Sequence, residues 1–269
     1  MNNKSQAIEA PSIEMERKLS FISIVFPAYN EQDNVETAVR RAREALTRYA
    51  ESIEIIVVND GSHDGTREVL DRLAAQDPAV VAVHHPRNMG YGAALRSGFA
   101  AARGEYVFFT DADLQFDMNE IGLLVAWIGH YDIVVGYRKN RADPLHRLVN
   151  AWAWNTLIRV ALGIRVRDID CAFKLFRRRV FDAMQLNSVG ALINTEILAQ
   201  AQQRGFSIKE VPVSHFHRLS GAPTGANLGV ILRAFRELIK MYGKLRQVRD
   251  LSLANSTRAT ASNTRGPGA

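Results

Sequence analysis

Two carboxylates separated by one residue stand in Thr110-Asp111-Ala112-Asp113-Leu114-Gln115, directly after the apolar run Tyr106-Val107-Phe108-Phe109. A short apolar run of this kind reads as a β-strand buried on both faces, which places both acids at its C-terminal end. Open α/β sheets bind ligands outside the carboxyl ends of their strands. Hard divalent cations take few protein carboxylates and complete their shell with water and phosphate oxygens. The chemistry expected of this stretch is the clamping of a metal–diphosphate, with Asp113 the firmer ligand and Gln115 a neutral oxygen donor. Taken alone, the tripeptide is more often a solvated turn capping the next helix.

Other strand ends carry further candidates. Asp60 follows Glu54-Ile55-Ile56-Val57-Val58-Asn59 and could accept hydrogen bonds from a base or a ribose hydroxyl, or close an Asx-turn. Asp64 reads as a helix cap and Glu31 as a favourable charge in a first helical turn. Asn88 and Gly90-Tyr91-Gly92 open a helix ending near Arg103, where small residues would let a ligand approach the backbone closely; packing explains Gly98 equally well. His215 and His217 alternate as strand residues would and lack a third zinc ligand.

These residues need a scaffold, and the periodicity supplies one. Apolar runs at 21–26, 54–58, 80–83, 106–109 and 132–135 alternate with helical patterns. The first helix shows Val35, Ala38, Val39, Ala42, Leu46 and Tyr49 on one face, with Asn30 as its N-cap. The expected class is α/β, a mostly parallel doubly wound sheet flanked by helices. No G-x-G-x-x-G closes the first strand, which disfavours a nicotinamide-type dinucleotide fold. The second half is less regular: helices near 146–162 and 194–204, a strand near 208–213, and a last helix over 227–245. The tails at 1–18 and 249–269 are polar and read as disordered around one domain at 19–248.

At 269 residues with 47% hydrophobic content the chain can bury one sizeable core. A single cysteine, Cys171, excludes an internal disulfide framework and a cysteine-based zinc site. The net charge of +6 favours anionic partners, although 28 acidic residues are interspersed among 34 basic ones. No uncharged apolar run reaches the roughly 18 residues of a membrane span, and the polar N-terminus lacks the order of a signal peptide. Arg40, Arg41 and Arg43, and the run Arg177-Arg178-Arg179, read as solvated faces.

Taken together, Pro27-Ala28-Tyr29-Asn30-Glu31, Val58-Asn59-Asp60-Gly61-Ser62 with Asp64-Gly65-Thr66, and Asp111-Ala112-Asp113-Leu114-Gln115 resemble family 2 inverting glycosyltransferases. The likeness is to dolichyl- or polyprenyl-phosphate mannosyl- and glucosyltransferases and covers roughly residues 20–245. It implies a Rossmann-like GT-A fold with an acceptor-side C-terminal half, a nucleotide-sugar donor and Mg²⁺ or Mn²⁺. By that likeness Pro27, Tyr29, Glu31, Val58 and Asp60 match positions lining the nucleotide. Asp111, Ala112, Asp113 and Gln115 match the diphosphate and metal site, and Arg138 and Arg218 match phosphate-contacting positions. The segment Asp168-Ile169-Asp170-Cys171-Ala172-Phe173-Lys174 resembles the family's D-x-x-x-x-F-K/R, with Glu196 on the following helix. Two departures stand out: Thr224 replaces the usual lysine six residues after Arg218, and Asn59 replaces the first acid of Asp-Asp-Gly-Ser.

The function this implies is metal-dependent, inverting transfer of a hexose from a nucleotide-sugar to polyprenyl phosphate. Asp113, Arg138, Arg218 and Asp168 are its expected catalytic residues, and the expected location is cytoplasmic, peripheral on an anionic membrane face. A same-fold enzyme acting on a hydroxyl acceptor would need an activating carboxylate such as Asp168 or Asp170. A non-catalytic nucleotide- or nucleic-acid-binding protein has basic charge alone in its favour, and no nucleic-acid partner is expected.

Overall fold

The computed structural model describes residues 18–139 and 156–217, together with Gly243. The expected C-terminal tail, nearly all of the N-terminal tail, the final helix apart from Gly243, and the first part of the helix expected from 146 lie outside the described residues.

Seven strands form one sheet: β1 (Leu19–Ala28), β2 (Ala50–Asn59), β3 (Val80–His84), β4 (Tyr106–Thr110), β5 (Ile133–Arg138), β6 (Phe173–Arg177) and β7 (Ile208–Val213). Their order is β3-β2-β1-β4-β6-β5-β7. All pairings are parallel except those of β6, which runs against both β4 and β5. The helices are α1 (Val35–Tyr49), α2 (Thr66–Gln76), α3 (Tyr91–Ala101), α4 (Ile121–Ile128), α5 (156–162), α6 (Arg178–Asp182) and α7 (Ile193–Gln203). Helix α1 packs on α2 and α4, and α3 packs on β1, β2 and α7, so the sheet is enclosed as a doubly wound fold requires.

Burial follows the apolar runs. Ile22, Ile24, Val25, Ile55–Val58 and Val107–Phe109 are fully buried, and Phe108 meets Phe173 edge to face at 4.8 Å. Gly98 is a packing residue: a Cβ there would overlap Val25 Cγ1. Helix α1 buries the expected face but starts at Val35, after Asn34. Asn30 is therefore not its N-cap. It sits at φ 56° in a turn, a left-handed conformation that Asn tolerates better than most residues.

Strand β6 was hidden in the sequence by the charge of Lys174 within Phe173-Lys174-Leu175-Phe176, yet Lys174 is 0% exposed. Its direction has a functional consequence. Because Phe173 pairs with Thr110, the antiparallel strand starts at the edge where the parallel strands end, and residues 168–172 emerge there. Of the arginine run after it, Arg179 is exposed as a solvated face would be, while Arg177 and Arg178 are partly buried. Arg177 donates to the carbonyls of Ile128, Gly129 and Tyr131 at the end of α4, Arg178 to that of Gly104, and Arg179 pairs with Asp132.

Candidate active site

In the sheet β1 lies between β2 and β4, so three motifs far apart in sequence end side by side. The first two loops are stitched together. Asn30 N donates to Ser62 Oγ (2.9 Å), Glu31 N to Thr66 Oγ1 (2.9 Å) and Gly65 N to Gln32 Oε1 (2.7 Å). Asp64 Oδ1 accepts from Thr66 N at 3.0 Å, but the N-cap position of α2 is held by Gly65 and not by the expected Asp64. Glu31 is buried, with Oε2 accepting from Asn34 Nδ2 at 2.7 Å. Tyr29 is partly exposed and meets His63 edge-on, while Pro27 pairs in register with Val58. The Val58 side chain is core, 0% exposed, so its place is beneath this edge as a floor.

Asn59 explains its departure from the acid. Its Oδ1 accepts from Ser62 N, three residues on, at 2.9 Å, a loop-closing bond that an amide makes as well as a carboxylate. Asp60 is engaged by the protein itself. Its carboxylate accepts from Met89 N and Gly90 N, both at 2.8 Å, and lies 2.6 Å from His85 Nδ1, whose Nε2 is 2.9 Å from Ser97 Oγ. The turn carrying Asn88 is thus fastened to the end of β2. Nothing in the sequence links His85 or Ser97 to Asp60; only the fold does.

The small residues at the start of α3 serve the chain rather than a ligand. Gly92 N and Ala93 N donate to Val189 O at 2.9 and 3.3 Å, and a Cβ at Gly92 would sit 2.6 Å from Ser188 O. Glu196, buried on α7, holds that loop by accepting from Asn187 N (3.0 Å) and Ser188 N (2.7 Å). The close approach expected at Gly90 and Gly92 is therefore made by residues 188–190.

Charge concentrates at the ends of β4 and β5. Asp111 receives the Tyr91 hydroxyl at 3.0 Å, and Asp113 Oδ1 accepts from Gln115 N at 3.2 Å. Burial first, and the charge of Asp113 second, push the Asp111 carboxyl up to about 7, against the pull of Tyr91, Lys174 and Arg138. Leu114, at φ 61°, turns the chain between Asp113 and Gln115. Ala112 is buried, and Gln115 Nε2 donates to Phe216 O at 3.0 Å, which leaves the amide oxygen as its acceptor group. Arg138 grips Asp168 through two bonds, Nε to Oδ2 and Nη2 to Oδ1, both 2.7 Å. Burial opposes the arginine's charge, and Asp168 more than offsets it, so its pKa stays above the ordinary value. Arg218 and Thr224 lie outside the described residues.

A sequence model of glycosyl transferase family 2 matches residues 23–184. The chain belongs to that family. It is 39% identical over 202 residues to glycosyltransferase AglD of Haloferax volcanii, aligning 71% of this chain with 32% of AglD. It is 40% identical over 166 residues to the undecaprenyl-phosphate 4-deoxy-4-formamido-L-arabinose transferase of Pseudomonas fluorescens, covering 61% of this chain and 48% of that one. The chain thus spans about half or less of these relatives. In structure it is similar to glucosyl-3-phosphoglycerate synthase of Mycobacterium tuberculosis, solved with Mn²⁺ and UDP, at TM-score 0.59 and 20% identity over 84% of this chain and 77% of that one. The Pyrobaculum calidifontis mannosyltransferase PcManGT, solved with GDP-Man and Mn²⁺, gives TM-score 0.59 and 18% identity over 92% and 76%. What is shared at such identities is the fold, and it is the GT-A fold that the motifs implied.

The family 2 chain has a donor set suited to a hard cation. Asp111 and Asp113 lie close enough for one charge to oppose the other's ionisation, and the Gln115 amide oxygen adds a neutral donor. Among the described residues no group of three or more His, Cys, Asp or Glu side chains is placed to hold a metal. A consequence is testable by calorimetry. A carboxyl must lose its proton to ligate, so Mn²⁺ affinity is expected to climb as pH rises from 5 towards 7, by up to about tenfold per unit, and to level off above. A flat profile over that range would place Asp111 outside the metal site.

Proposed function

We propose that this family 2 protein catalyses inverting transfer of a sugar, read from the sequence as a hexose, from a nucleotide-sugar to polyprenyl phosphate. The observation that carries the reading is the Arg138–Asp168 pair at the edge beside Asp111 and Asp113. With both oxygens of Asp168 committed to a guanidinium, that carboxylate is a poor proton acceptor. An acceptor that arrives ionised needs no protein base: a phosphomonoester, with its second pKa near about 6, presents a free oxygen at pH 7. The undecaprenyl-phosphate acceptor named for the Pseudomonas relative agrees with this chemistry.

In this reading Asp111, Asp113 and Gln115 would hold Mg²⁺ or Mn²⁺, which offsets the negative charge growing on the departing diphosphate. The loops after β1 and β2 hold the nucleoside: Pro27, Tyr29 and Glu31 line it, and Val58 and Asp60 keep the floor and the 85–90 turn in place. Arg138, oriented by Asp168, presents its remaining N–H groups to phosphate oxygens, and Arg218 adds a second cation. Such contacts accelerate transfer because they strengthen as charge moves onto the leaving group. The acceptor oxygen attacks the anomeric carbon from the face opposite the diphosphate, which inverts its configuration.

Incubating the purified protein and Mn²⁺ with a panel of nucleotide-sugars, with and without polyprenyl phosphate, tests the proposal. A lipid-linked sugar formed only when the lipid is present is expected. Nucleotide binding without turnover across the whole panel would favour the non-catalytic reading.

Location belongs to the same proposal. No helix among the described residues is long and apolar enough to cross a membrane. A net charge of +6 favours peripheral attachment to an anionic face, which salt weakens by screening. Flotation with vesicles containing anionic lipid is expected to recover the protein at low salt and to lose it at about 1 M salt, where the Debye length is only about 3 Å. Absence of binding at low salt, with polyprenyl phosphate in the vesicles, would favour a soluble acceptor.

A further inference from the structure

Beneath the charged edge runs a buried polar chain that the reaction as described does not use. Lys174 on β6 is 0% exposed, with its ammonium 5.2 Å from the centre of the Phe109 ring. It donates to Ile169 O (3.0 Å), to Cys171 O and to Asn194 Oδ1 (3.0 Å). A buried ammonium is costly, and here three neutral oxygens take its three N–H groups. The Asn194 side chain, 4% exposed at the start of α7, lies near enough to the Tyr91 hydroxyl to favour its ionised form. That hydroxyl reaches Asp111 Oδ1 at 3.0 Å.

Donor and acceptor capacity fixes every proton along this path. An ammonium can only donate, so it faces the amide oxygen of Asn194, and the amide nitrogen is left to face Tyr91. The Tyr91 O–H donates to Asp111 Oδ1, and that carboxyl is acceptor-only in its ionised form. The two hydrogen bonds that flank the approach of Asn194 to Tyr91 both donate in the direction of Asp111, Lys174 to Asn194 and Tyr91 to Asp111. At its other end the same ammonium grips the carbonyls of Ile169 and Cys171, on either side of Asp170 in the loop that brings Asp168 to Arg138.

We propose that Lys174, Asn194 and Tyr91 form a positioning relay that sets the Asp111 carboxylate for the donor's cation and diphosphate and ties it to the loop carrying Asp168. The inference rests on the proposed donor site and goes beyond it. None of the three residues touches the reacting atoms; each acts through Asp111 or through the 168–171 loop. Outer partners of metal-binding groups commonly change affinity by about 10–100-fold, which sets the scale of the effect.

The test is binding of Mn²⁺ in the presence of UDP, and separately of GDP, measured calorimetrically on the full chain. Tyr91→Phe keeps the ring and removes the donor to Asp111; Asn194→Leu breaks the path one step earlier. Each should weaken Mn²⁺–nucleotide binding by about tenfold or more in protein that stays folded by circular dichroism. Adding Asn194→Leu to Tyr91→Phe should then cost less than about threefold further, because the second change cuts a path already broken. Tyr91→Phe binding as tightly as wild type would overturn the relay, as would losses that multiply in the double variant. Should Asn194→Leu fail to fold, Tyr91→Phe alone decides. Wild-type protein that binds Mn²⁺ with neither nucleotide would refute the donor site itself, a result distinct from failure of the relay.

Discussion

Asp113→Ala is expected to lower sugar transfer by about 10³-fold while leaving the protein folded, the scale of losing a main electrostatic contact in a transition state. Asp113 is buried rather than surface-accessible, but it stands beyond the end of β4, so its removal takes the turn bond from Gln115 N and leaves the strand ladder in place. It also removes a charge that opposes ionisation of Asp111, so the empty site loses a repulsion. Stability and activity should therefore separate, with a wild-type unfolding midpoint and turnover close to background in saturating Mg²⁺ or Mn²⁺. Near-wild-type turnover under those conditions would refute the metal assignment.

Arg138→Ala and Asp168→Asn should behave differently although they break the same pair. The two side chains are 13% and 10% exposed, so removing the arginine takes both of its bonds from a mostly buried carboxylate and should cost about 3 kcal/mol of stability. It should also cost about 2–4 kcal/mol of activation energy as a phosphate contact is lost, and Arg218→Ala should show the same kinetic loss. Asp168→Asn keeps an acceptor oxygen for Arg138 and frees the guanidinium from a competing charge. Its kinetic loss should be that of poorer orientation, smaller than the arginine's and not rescued by raising the pH from 7 to 9. Asp170→Asn should follow Asp168→Asn. A general base contributes about 10²–10⁴-fold, so a thousandfold loss from either amide at saturating substrate, in folded protein, would count for a hydroxyl acceptor.

The parallel half of the sheet was legible because its strands are short apolar runs separated by a helix with one apolar face, patterns that survive without tertiary context. The acids at 111 and 113 were legible for the same reason, since an obvious strand precedes them. Strand β6 was not, because a lysine within a four-residue apolar run argues against burial unless its partners are known, and those partners lie in the loop before it and on α7. Asn30 looked like a helix cap because Asn is good at that position, but the left-handed turn it also favours won. Gly90 and Gly92 suggested a close approach by a ligand, whereas the backbone of residues 188–190 is what meets them. The partners of Asp60 and Asp111 come from contacts across 25 and 20 residues, which spacing alone does not reveal.

The central claim, a phosphate acceptor served without a protein base, is tested most directly by offering polyprenyl phosphate and the free polyprenol of equal chain length, each with the same nucleotide-sugar and Mn²⁺. The account predicts sugar transfer to the phosphate alone, with the anomeric configuration opposite to the donor's and loss of product when the metal is chelated. Transfer to the free alcohol at a comparable or greater rate would contradict it.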